Sequence, residues 1–174
     1  MVLVFRIYLK LSKVLLLLIT IYDFQYFFWE VKLIVSIIIN KPVIVDNKTK
    51  YTSVIQHRGK VNNNKSIWTI NLVEEVDCFK KSYSSQWQLN CKGWGLHIIQ
   101  DRICVLGKNP EGENLKIAKF VDSSNDNSWH GYPADYRSNI QDRPTQHILE
   151  MWREEGIIKK HHMSKIRSGM PCNI

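Results

Sequence analysis

At 174 residues, with 44% hydrophobic and 23% charged side chains, the chain suits one packed domain plus an appendage and is not a disordered or low-complexity sequence. A net charge of +8 favours a polyanion, such as nucleic acid or an anionic membrane face, but charge alone supplies only non-specific attraction. The cysteines Cys78, Cys91, Cys104 and Cys172 form no C-x-x-C pair, which excludes a zinc ribbon and a thioredoxin-like motif and leaves reduced thiols in a cytoplasmic domain as the expectation.

Residues 1–40 are apolar and unlike the remainder. Val14 to Tyr22 is an unbroken apolar run, preceded by Arg6, Lys10 and Lys13, the layout of a signal peptide or signal anchor. No A-x-A-like cleavage site follows. Asp23, Glu30 and Lys32 interrupt every window of about 20 apolar residues, the length a spanning helix needs. Three readings result: an anchor inserting from Leu11 to Trp29, a start site assigned too far upstream in AT-rich DNA, or a packed helix. Membrane association is expected only through residues 11–39, if they are translated.

Residues 41–174 read as a single small α+β domain. Val43 to Val45, Tyr51 to Gln56 and Ser66 to Val73 are strand-like, joined by turn-rich Asp46–Thr49 and a polar loop from His57 to Lys65. In the third run Trp68, Ile70 and Leu72 alternate with polar positions. From Glu74 the period lengthens. Val76, Phe79, Tyr83 and Trp87 line one side of a helix over about 74–88, with acids in its first turns. Trp94 to Ile99, Arg102 to Leu106 and Leu115 to Val121 are further strands, and Gly107 to Asn114 is a loop.

After a polar linker comes Trp129-His130-Gly131-Tyr132-Pro133-Ala134-Asp135-Tyr136-Arg137, closed by Asp142-Arg143-Pro144. Its aromatics, glycine and prolines read as an irregular loop. A helix then starts at Pro144-Thr145 with Ile148, Met151 and Trp152 as its apolar stripe. Gly156 is placed to cap it, and a second short helix, Lys159 to Arg167, ends at Gly169. Helices this short are marginal alone, so the pair must dock. The pattern of Leu149, a Glu-Gly-Ile-Ile turn, then Met163 and Ile166 resembles the short C-terminal helical hairpins (SHOCT-type) of some bacterial proteins over fewer than thirty residues, without the acidic run that usually follows the turn. The expected fold is α+β: an antiparallel sheet of about six short strands, one inserted helix and a C-terminal helical hairpin.

His130, with Asp135 and Arg137 nearby in sequence, is the candidate for acid–base chemistry. Trp129, Tyr132, Tyr136 and Arg143, with Lys159, Lys160, Lys165 and Arg167 of the hairpin, form the candidate binding surface. The competing structural reading has Trp129 and Tyr132 packing a corner, with Gly131 supplying the backbone freedom. No H-E-x-x-H, zinc or calcium pattern is present, and Gly107–Gly112 lacks the features of a phosphate loop, so neither metal nor cofactor is expected. Residues 144–168 also allow a helix-turn-helix reading, against which stands bulky Trp152 close to the turn. Three functions fit: a binding protein for nucleic acid or an acidic partner protein, a small toxin-like nuclease using His130, or an immunity-type or structural protein. The first two require the 129–143 stretch and the hairpin to lie on one exposed face.

Overall fold

The computed structural model describes residues 39–59 and 64–174. The N-terminal readings fall outside these residues. Among the described residues no helix is long and apolar enough to cross a membrane.

The fold is α+β and ends in a helical pair. The main sheet has seven strands in the order β1 (Pro42–Ile44), β2 (Lys50–Thr52), β10 (Ser128–Ala134), β9 (Ile117–Val121), β5 (Lys92–Ile99) and β4 (Gln88–Leu89), with β6 (Arg102–Cys104) also paired to β5. A small second sheet joins β3 (Ile67–Trp68), β7 (Gly107–Lys108) and β8 (Asn114–Leu115). Every pairing among the described residues is antiparallel except β2 with β10.

Helix α1 (Leu72–Ser84) starts earlier than the periodicity predicts. Asn71 and Glu74 exchange side-chain and backbone hydrogen bonds in a capping box, so the expected third strand stops at Trp68. The helix also ends sooner, and Trp87 lies beyond it, just ahead of β4.

The strand register sorts side chains onto two faces. Gly93, Phe120 and Gly131 are cross-strand neighbours on β5, β9 and β10, and α1 covers their face. Glycine is required here by space. A Cβ on Gly131 would sit 2.4 Å from the Phe120 ring, and one on Gly95 would sit 2.7 Å from it. The two glycines thus form a slot for Phe120, and Phe79 of α1 closes it at 5.2 Å between ring centroids. Tyr51 and Trp129 complete this aromatic core, 4.7 and 5.8 Å from Phe79. One polar group is buried with them. The Glu75 carboxylate accepts from Tyr51 Oη (2.6 Å), from Ser53 Oγ (2.9 Å) and from the Arg58 guanidinium. This cluster ties α1 to the segment that carries His57.

The opposite face presents Trp94, Leu96, Ile117 and Ala134. Helices α2 (Gln146–Glu154) and α3 (Lys160–Ser168) dock there through Ile148, Leu149, Trp152, Ile158 and Ile166, all buried. Each such side chain contributes about 1.5–3 kcal/mol, which holds two helices too short to persist alone. Thr145 caps α2, and Gly156 and Gly169 take the left-handed backbone at the two helix ends (φ +74° and +70°), as the sequence predicts.

The main correction concerns residues 129–137. They do not form an irregular loop, because Ser128–Ala134 is an interior strand between β2 and β9. Trp129, Gly131 and Pro133 point to one side, and His130, Tyr132 and Ala134 to the other. Pro133 is tolerated because the pairing with β2 ends at His130, so β10 has a single neighbour at the proline.

Candidate functional site

The hairpin covers only part of its sheet face. Where it stops, His130 and Tyr132 of β10 floor a cleft of about 680 Å³. Its walls are Val54, Gln56 and His57, then Asn64, Lys65 and Ser66, the turn at Asn109–Glu111, and the stretch carrying Asp135, Ser138 and Asp142. His130 and Tyr132 lie two residues apart on one face of the strand, about 6.5 Å along it. The His57 ring stacks on Tyr132 at 5.3 Å and 20° between planes. Its Nδ1 lies 2.8 Å from the Ser66 carbonyl oxygen.

Tyr132 is held from the far side. Its hydroxyl donates to Asp142 Oδ1 at 2.9 Å, and Asp142 Oδ2 accepts the backbone N–H of Asp135 at 3.3 Å. Lys119 Nζ, on the neighbouring β9, sits 3.4 Å from Asp142 Oδ1 and donates to the Gln141 carbonyl at 2.6 Å. The same ammonium lies 5.9 Å from the Tyr132 ring centroid. Burial, and then the Asp142 carboxylate, push the Tyr132 phenol well above its ordinary value. It is therefore a hydrogen-bond donor at neutral pH. Both histidines are held below the ordinary imidazole value. For His57 the cause is burial, with Lys65 and His130 adding to it against the Ser66 hydrogen bond. For His130 burial also leads, and Asp122 opposes it.

The proposed trio of His130, Asp135 and Arg137 does not assemble. Asp135 is spent on local structure: it accepts from Arg137 Nε (2.9 Å), Asn109 Nδ2 (3.0 Å) and Ser138 Oγ (3.0 Å). Burial alone would raise its pKa, but these bonds outweigh it and hold the carboxyl below its ordinary value. Arg137 pairs with Asp135 and with Glu113 at 2.8 Å and does not line the cleft.

Two proposed contact residues are also withdrawn. Trp129 is 6% exposed and packs on Phe79, and Tyr136 is 8% exposed within the hairpin core, so neither offers a surface. Arg143 is a clamp: its Nε donates to the Tyr136 carbonyl and its Nη1 to the Arg167 carbonyl, 2.9 and 3.0 Å away. Tyr132 remains at the cleft. Lys159, Lys160, Lys165 and Arg167 are exposed on and beside α3, and among the described residues none is in an ion pair.

Sequence reasoning missed His57 and Lys119. His57 sits more than seventy residues upstream of Tyr132, and the parallel β2–β10 pairing and the Ser66–Pro133 hydrogen bond bring its neighbourhood to the strand. Lys119 reads as the solvent-facing position of a half-buried strand, yet it is 4% exposed. Comparison with protein-family models, curated proteins and solved structures returned no match.

Proposed function

We propose that the protein binds nucleic acid, holding phosphates with the outer side of the C-terminal hairpin next to the His130–Tyr132 cleft. The observation that carries this reading is the chain from Gly156 to Ile174. It contains Lys159, Lys160, Lys165 and Arg167 and no acidic residue. Its apolar side chains Ile158 and Ile166 are docked, so the cations are displayed on a fixed scaffold. Arg143 tethers the end of α3 to the segment that walls the cleft. Both features belong to the same face of the main sheet.

The test is a titration of labelled single-stranded RNA and DNA against salt. Each phosphate contact adds about −0.7 to the slope of log affinity against log salt on single strands. Lys165→Ala/Arg167→Ala should therefore flatten the slope by about 1.4. Absence of any bound species at low salt removes nucleic acid as the ligand and leaves an acidic partner protein as the target of these lysines.

A further inference from the structure

We propose that the cleft cleaves RNA, with His57 as general base on a ribose 2′-hydroxyl and His130 as general acid on the leaving 5′-oxygen. The inference rests on the nucleic-acid reading above and adds an activity to it.

The hydrogen bonding of the cleft selects this chemistry. Proton-transfer groups are present, but the hydroxyls are engaged. Ser66 Oγ donates to the Pro133 carbonyl (2.6 Å), Ser138 Oγ to Asp135, and Tyr132 to Asp142. Among the described lining residues no hydroxyl is left to attack a substrate. A substrate with its own nucleophile beside the scissile bond needs only proton transfer, and RNA is such a substrate.

The tautomer assigns the roles. The Ser66 carbonyl can only accept, so Nδ1 of His57 carries the proton and Nε2 the lone pair. That leaves His57 ready to take a proton. Asp122 favours the charged form of His130; on His57 the Ser66 hydrogen bond favours it, and Lys65 and His130 oppose it. Since burial holds both imidazoles low, the competent state, with His57 neutral and His130 charged, is most populated on the acid side of neutrality. Lys119 and Arg137 offset the Asp142 and Asp135 charges, and Lys65 lines the cleft where a phosphate would enter. Glu111 is the lining carboxylate with no cation partner among the described residues.

In the reaction the 2′-oxygen gives its proton to His57 Nε2 and bonds to phosphorus. The P–O5′ bond breaks, and His130 protonates O5′. The products are a 2′,3′-cyclic phosphate and a 5′-hydroxyl. The two imidazoles have exchanged protonation states and reset through solvent.

The experiment uses the full-length protein and an end-labelled RNA oligonucleotide. Expected are cyclic-phosphate ends, an intact DNA of the same sequence, and no cut where a single 2′-deoxy nucleotide replaces the ribose. His57→Asn and His130→Gln should each lower the rate at least ~100-fold, the ordinary contribution of acid–base catalysis, with RNA affinity unchanged. Lys159→Ala/Lys165→Ala should instead raise KM and leave kcat alone. RNA that is bound but never cut overturns the cleavage proposal and keeps the binding one. RNA that is neither bound nor cut overturns both. Cutting of DNA at the same rate refutes the 2′-hydroxyl route, and that control uses wild-type protein, so it stands even if a histidine variant fails to fold.

Discussion

Replacing Lys119 with Met tests the buried pair that holds the cleft floor. Lys119 and Asp142 are 4% and 5% exposed, so water screens neither charge. Removing one partner of such a pair leaves an uncompensated buried ion and costs about 3–5 kcal/mol. Asp142 would still accept from the Tyr132 hydroxyl at 2.9 Å and the Asp135 N–H at 3.3 Å. These contacts place the expected loss at the lower end, about 3 kcal/mol. Met fills the volume of the lysine stem, so a cavity adds little. Urea denaturation is the assay: the midpoint should fall while the m-value stays constant. The double variant Lys119→Met/Asp142→Asn removes both charges and should lose less than the two single losses added together. A single-variant loss under about 1 kcal/mol, the range of exposed pairs, would refute the claim that this pair is sealed from solvent.

Two further outcomes follow from the same geometry. Gly131→Ala places a methyl 2.4 Å from the Phe120 ring, and should destabilise by about 1–3 kcal/mol or more through overpacking; a melting temperature equal to wild type would show that Phe120 is free to move. Burial holds the pKa of both His57 and His130 below the ordinary 6.5. On lowering the pH the unfolded imidazoles take up protons first, the unfolded state binds more protons, and stability falls as pH drops below about 6.5. Thermal melts from neutral pH downward should show this slope, and His57→Gln/His130→Gln should flatten it; an unchanged slope would mean that other groups cause it.

Local patterns made most of the fold legible, and non-local ones hid the site. The helical hairpin was readable because its signals are adjacent: Pro144-Thr145 at the start, an apolar stripe at helical spacing, and glycines at both C-termini. The helix after β3 is readable from Val76, Phe79 and Tyr83, although Asn71, the N-terminal half of its capping box, reads as part of the preceding strand. Strand β10 was not recognised because Gly131 and Pro133 are turn residues in most settings. Here Gly131 is required by the Phe120 ring on the neighbouring strand, and Pro133 lies past the end of a parallel pairing. Both reasons sit in other segments, so residues 129–137 alone could not reveal them. The same holds for the cleft. His130 stands out by residue type, but His57 and Lys119, which flank Tyr132 on the same strand face, come from elements that the fold alone brings together.

The stretch from Asp135 to Arg143 joins the two halves of the functional reading. Asp142 holds Tyr132 through its carboxylate, while its backbone carbonyl accepts from Trp94 Nε1 at 3.0 Å inside the hairpin core. The next residue, Arg143, bonds the Tyr136 carbonyl and the last turn of α3. Gly169 lets that guanidinium pass, since a Cβ there would lie 2.2 Å from Nη2. Cleft floor, hydrophobic core and cationic helix are therefore fixed by two consecutive residues. Under the proposed reading, nucleic acid held along α3 and chemistry at His130 would depend on the same two anchors, Asp142 and Arg143.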